Sequence, residues 1–257
     1  MIVYTMTYKE IYDNLAKEKT KVEYAEQKLL PKALKALRKS RTLPAWQIYE
    51  YKIPSTNNRY LITYYANNLQ TLAHPIVNTC LILYFGRERA LVRWFAGGYQ
   101  HTLNRPIEFI RQLHIFRSHF FLRYNERLLK QSSISSDEAA CIFFARNHEI
   151  MPIKQNAAIN RNFEKYGPNG QDMLRVHDGV CCLSSYVQGL LSEDNVREND
   201  QIESMALVYN TYLSGELLHE GQCEAVDKEC TESWNRFYEQ WMKQSKGTGR
   251  ITFQLLP

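Results

Sequence analysis

Between positions 119 and 129 the chain reads HFFLRYNERLL, with His119, Arg123 and Arg127 four residues apart. On a helix of 3.6 residues per turn that spacing sends one imidazole and two guanidinium groups out from a single face. Metal-free cleavage of RNA needs a base for the 2′-hydroxyl proton, an acid for the leaving oxygen, and cations for the charge gathering on the phosphate oxygens. Imidazole titrates near neutral pH, and guanidinium offers a rigid fork of donors that matches phosphate. The expectation is therefore a catalytic set in which His119 is general acid or base, Arg123 and Arg127 hold the scissile phosphate, and Tyr124 orients it. Arg117, just upstream, joins the candidate nucleic-acid contacts. The same spacing also arises on an ordinary amphipathic helix whose cations are solvated, and helix geometry does not separate the two readings.

A second cationic stretch lies nearer the N-terminus. From Lys28 to Arg41 there are six basic residues and no acidic one, interleaved with Leu34 and Leu37. This is an amphipathic basic helix, and Lys32, Lys35, Arg38 and Lys39 are its candidate nucleic-acid contacts; a solvated face packed through its leucines is the alternative. His219, Cys223 and Cys230 make the most suggestive metal set, but HEGQC is not HExxH and no CxxC pair occurs, so no metal is expected. Walker, GxGxxG and GxSxG patterns are also absent, and no cofactor is expected.

Several elements must position these residues. Thr7 and Glu10 form a capping box for a helix running to Pro31, and the basic helix follows it. Residues 46–53, 60–66, 79–85 and 90–95 are rich in aromatic and β-branched residues, and the turns PSTNN and GRER join them into two hairpins. Pro106 suits a first helical turn, which Ile107, Ile110, Leu113 and Phe116 continue; Ser118 then caps a fresh helix. Ser135 and Glu138 form another capping box, and residues 149–171, containing GPNG, read as an irregular connection. Residues 173–176 and 180–187 flank His177-Asp178-Gly179 as a hairpin, and 205–213 form a last strand. Trp234, Phe237, Tyr238 and Trp241 line one face of a C-terminal helix expected to dock on the body. The predicted class is α+β: an antiparallel sheet packed against central helices, with helical N- and C-terminal extensions. Its predicted parts are an N-terminal helical extension (1–45), an α+β core (46–228) and a C-terminal helix and tail (229–257).

The run RSHFFLRYNERLLKQSSISSDEAACIFF resembles the opening of small ribonuclease-type toxin domains of the RelE, colicin and barnase-like group. Ser118, His119, Arg123, Arg127, Ile134, Ser135, Asp137 and Glu138 occupy comparable places. The resemblance covers residues 115–215 and implies metal-independent cleavage of RNA phosphodiesters. It also implies Thr211 in the last strand as the alternative to Tyr124 for orienting the phosphate, and a cognate inhibitor protein as a partner alongside RNA. The chain departs from such toxins in its longer Arg127–Ile134 spacing, in its greater length, and in strands that precede the helices. The alternative is a non-catalytic nucleic-acid- or protein-binding module of a mobile element.

Composition bounds these readings. A chain of 257 residues that is 44% apolar can bury a substantial core. The opening MIVYTMTYKE lacks the apolar length of a secretory signal, and the uncharged run 60–86 is too polar to cross a membrane, so a soluble protein with no membrane contact is expected. Six cysteines in a chain this long suit reduced thiols and a cytoplasmic location. The net charge is +5, but residues 86–130 hold nine Lys or Arg against three Glu, whereas residues 192–245 hold twelve acids against four bases. A basic middle of this kind points to an anionic partner.

Overall fold

In the computed structural model Thr7 opens the first helix: its hydroxyl accepts from the Glu10 amide, and the Glu10 carboxylate accepts from the Thr7 amide at 2.8 Å. This helix, α1 (Tyr8–Leu37), does not stop at Pro31 as expected but carries it in its interior. A proline there forfeits its own amide hydrogen bond, and the packed face supplied by Ala25, Ala33 and Leu37 holds the helix through it. The structure describes residues 1–99, 108–154, 156–159, 172–190, 201–218 and 220–246.

Among the described residues nine strands form one sheet: β1 (Ala45–Lys52), β2 (Arg59–Ala66), β3 (Ile76–Phe85), β4 (Glu88–Tyr99), β5 (Glu108–Arg117), β6 (Ile150–Ile153), β7 (Asp172–Val176), β8 (Gly179–Leu190) and β9 (Gln201–Ser214). Their order is β1-β2-β3-β4-β5-β9-β8-β7-β6. The sheet is thus two antiparallel meanders joined at its centre by the parallel pair β5/β9. The short helices α2 (Leu69–Ala73), α3 (Ser118–Tyr124) and α4 (Ser136–Arg146), and the long α5 (Glu220–Lys246), complete the α+β fold.

The sheet is covered on both faces, which explains why β2 reads as an unbroken apolar run rather than an alternation. Tyr60, Ile62, Tyr64 and Ala66 face α1 with Leu15 and Val22, whereas Leu61 and Tyr65 join Phe120, Phe143 and Phe144 of α3 and α4. The first turns of α5 bring Val226 onto Met173, Val180 and Cys182. Farther along α5, Trp241 meets Phe109 of β5 edge-on at 5.5 Å. Trp234, Phe237 and Tyr238 are exposed, and among the described residues the aromatic face meets the sheet through Trp241.

Two other expectations change. Residues 108–117 are the central strand β5, not a helix. Ile110, Leu113 and Phe116 have helical spacing, but Leu113, His114, Ile115 and Phe116 are buried in succession, and a strand covered on both faces leaves no period to read. Pro106 and Ile107 lie outside the described residues. Within the supposed connection, residues 150–153 form edge strand β6, while GPNG also lies outside the described residues. The His177-Asp178 turn stands where expected, since Val176 pairs with Gly179. Gly179 is required there by close packing: a Cβ would lie 2.3 Å from the Leu213 carbonyl oxygen. Among the described residues, no helix is long and apolar enough to cross a membrane.

Candidate functional site

α3 follows β5 directly, so His114 and His119 belong to different elements. Ser118 does not cap the helix; its hydroxyl donates instead to the Arg89 carbonyl at 2.7 Å, and Arg117 occupies the cap position without a side-chain bond. Phe120, Phe121 and Tyr124 are buried, and the chain continues as a π-helical turn, Asn125–Leu129, closed by Lys130 in the left-handed region at φ 53°. Arg123 lies in the last turn of α3 and Arg127 in the π-helical turn that follows it.

The histidine–arginine face is consequently divided. His119 has a side chain 47% exposed; its Nε2 lies 2.7 Å from the Asn210 carbonyl oxygen and its Nδ1 3.4 Å from the Glu88 carboxylate. A nitrogen facing a carbonyl must carry the proton, so Nε2–H is a donor to the backbone. Asn210 is the extra residue at a β9 bulge, lying between Tyr209, paired with Leu183, and Thr211, paired with Cys182. A bulge leaves its extra residue without a ladder partner, and His119 supplies one. Arg127 donates to the Thr211 hydroxyl at 3.2 Å and to the Tyr212 carbonyl. Arg123 turns outward to Glu126 at 2.7 Å. His119, Arg127 and Thr211 therefore converge on residues 210–212 of β9, and Arg123 does not.

Tyr124 points elsewhere. Its side chain is buried, and its hydroxyl donates to Asp178 Oδ2 at 2.6 Å. Asp178, whose side chain is only 3% exposed, also accepts from Arg146 through Nε and Nη2 and from Asn147 Nδ2 at 2.9 Å. Its own amide donates to Asn147 Oδ1 at 2.8 Å. Burial pushes the Asp178 carboxyl up, but hydrogen bonds from Arg146, Tyr124 and Asn147, with the Arg146 charge, outweigh it and hold the group below its usual range. Burial, and then the Asp178 hydrogen bond and charge, push the Tyr124 hydroxyl well up. The sequence marks Asp178 as a turn residue only; its role as a hub depends on α3 and α4 arriving from more than thirty residues away.

His114, in the core, has Nδ1 2.8 Å from the Tyr209 hydroxyl and its ring 4.6 Å from that of Phe95. Burial pushes its pKa down to about 3, and the Arg93 charge adds to the shift. It is a neutral core residue. His148, after α4, is exposed.

The nucleic-acid candidates also separate. Lys32, Lys35, Arg38 and Lys39 are exposed together at the C-terminal end of α1, with Lys32 Nζ 4.9 Å above the Tyr49 ring. None has an acidic partner among the described residues. Arg117 stands 3.7 Å from Glu88 at the end of β5, close enough to Tyr8 in the first turn of α1 for its charge to act there. The 24 residues from Tyr8 to Lys32 span about 36 Å of helix, so Arg117 does not join the lysines. His219 lies outside the described residues, and Cys223 turns toward the Gly215 and Leu218 carbonyls. Among the described residues no three potential metal ligands gather. Comparison with family models, with curated proteins and with solved structures gives no match.

Proposed function

We propose that this protein binds nucleic acid without cleaving it, through the cationic end of α1. The observation that carries this reading is the set Lys28, Lys32, Lys35, Arg38, Lys39 and Arg41, all exposed and none with an acidic partner among the described residues. Cations already engaged by protein acids release few counterions on meeting phosphate; unengaged ones release them fully, and that release drives affinity. Six such contacts predict a loss of about 10³-fold in affinity between about 50 and about 200 mM salt. Fluorescence anisotropy with labelled RNA and DNA across that range tests it. No binding at the lowest salt would sink the reading.

A second reading, metal-independent ribonuclease activity, is favoured by the convergence of His119, Arg127 and Thr211 on one stretch of β9. It requires His119 to release the Asn210 carbonyl and Arg127 to release that of Tyr212 before either meets RNA. Mixed RNA incubated with the protein and a chelator is the assay. Cleavage abolished by His119→Ala would establish this reading in place of the first.

A further inference from the structure

The cationic end of α1 is one part of a longer row. Lys17, Lys21, Tyr24, Lys28, Lys32, Lys35 and Lys39 follow at intervals of four, three, four, four, three and four residues, and all are exposed. At about 100° per residue the members within α1, Lys17 to Lys35, fall within a sector of about 80° and span about 27 Å, and Lys39 follows in the turn just past the helix end.

The acids of this stretch do not oppose the row. Glu18 is buried, accepting from Asn58 Nδ2 at 2.9 Å and from the Tyr60 hydroxyl. Glu26 accepts from the Thr79 hydroxyl at 2.6 Å, toward the sheet. Glu23 projects about 140° around the helix from Lys28.

Two contacts eleven residues apart fix the direction in which the row looks. Lys21 Nζ donates to Ser55 Oγ at 2.9 Å, in the turn after β1, and Lys32 Nζ lies over Tyr49 within β1. The row therefore overlooks the edge strand of the sheet. Tyr49 and Tyr51 are half-buried on the α1 side of that strand, and Tyr24, 65% exposed, stands within the row itself.

We infer that this flank binds a single-stranded nucleic acid, with phosphates along the lysine row and bases turned toward Tyr24, Tyr49 and Tyr51. The inference rests on the nucleic-acid reading above and specifies its partner. A duplex keeps its bases stacked inside and offers nothing to the tyrosines, whereas an open strand uses both the cations and the rings. The row carries no Asn, Gln or Arg fork for base edges, so the binding is tolerant of sequence. An anionic membrane fits less well, because α1 has already buried its apolar side, Leu15, Val22, Ala25 and Leu37, against the sheet and has none to insert.

The test is anisotropy with labelled oligouridylate and oligothymidylate of about ten nucleotides, a blunt duplex of equal length, and phosphatidylserine vesicles as competitor. Binding of either single strand, RNA or DNA, at least tenfold tighter than the duplex supports the inference. Lys17→Gln with Lys21→Gln should lower the salt slope by about 1.4, at about 0.7 per phosphate contact, and Tyr24→Ala should weaken binding about tenfold at unchanged slope. Circular dichroism checks that these surface variants fold. If Lys32→Gln with Lys35→Gln lowers the slope while Lys17→Gln with Lys21→Gln does not, the extended row is overturned and the nucleic-acid reading stands. Equal or tighter duplex binding overturns the single-strand assignment, and vesicles bound in preference to every oligonucleotide overturn both. No binding to any oligonucleotide at low salt is failure of the underlying reading itself.

Discussion

Two helices of this protein carry cations at four-residue spacing, and their fates differ. On α3 and its π-helical turn, the side chains of His119 and Arg127 are spent on β9 backbone carbonyls and that of Arg123 on Glu126. On α1, the side chains of Lys28, Lys32 and Lys35, like that of Lys39 just past its end, meet no acid among the described residues. The difference follows from what lies beside each helix. α3 is seven residues long and ends against a bulged strand whose unpaired carbonyl needs a donor. α1 is thirty residues long, buries one side on the sheet, and leaves the opposite side facing water. Spacing makes a row of charges; neighbours decide whether that row is available.

The comparison can be broken or sharpened by substitution. The largest effect is expected at the hub that anchors α3: Asp178→Ala leaves Tyr124, Asn147 and Arg146 without their acceptor and should cost about 3 kcal/mol of unfolding free energy in urea titration. A loss below about 1 kcal/mol would mean that α3 is held by its phenylalanines alone. Charge reversal on the other helix should act on binding and not on folding. Lys32→Glu with Lys35→Glu is expected to weaken nucleic-acid binding about 100-fold while changing stability by less than about 0.5 kcal/mol. His119→Ala and Arg123→Ala should leave that binding unchanged, and a comparable loss from either would erase the contrast between the helices.

The buried His114 provides a pH test. His114 has a native pKa pushed from 6.5 down to about 3, so between those values the unfolded chain binds more protons than the folded one. Stability therefore falls as pH drops through that window, by at most about 1.4 kcal/mol per pH unit. His114→Gln should flatten that slope in urea titrations at stepped pH. The depressed Asp178 carboxyl adds a separate loss, beginning only near the ordinary carboxylate range and running below it, which Asp178→Asn removes. Smaller still, Arg127→Ala should cost about 1–2 kcal/mol because the Tyr212 carbonyl loses a charged donor. Arg123→Ala should cost less than about 0.5 kcal/mol, as exposed pairs three residues apart do.

Much of the local structure was legible beforehand. The capping boxes at Thr7 and Ser135 open α1 and α4, and the aromatic runs form β1 to β4 in the expected hairpin order. Each is written in contiguous residues, because caps and hairpin turns involve atoms a few positions apart. β5 escaped because burial on both faces erases periodicity, and Pro31 misled because packing outweighed one lost hydrogen bond. At the candidate site, the sequence supplied the inventory of His119, Arg123, Arg127 and Thr211, and the approach of Arg127 to Thr211 is what the structure contains. The turning of Tyr124 toward Asp178 was not legible, because the acceptor lies 54 residues away.

By itself, then, the sequence determined which segments form helices and strands where caps, turns and half-buried faces leave a local signature, and where its cations lie. Only the tertiary structure decided which of those cations are free. A guanidinium or ammonium group is a donor wherever it stands, but whether it donates to a carbonyl, a carboxylate or solvent depends on strands brought beside it by the order of the whole sheet. That order put the bulge of β9 under His119 and the edge strand β1 beneath the lysines of α1.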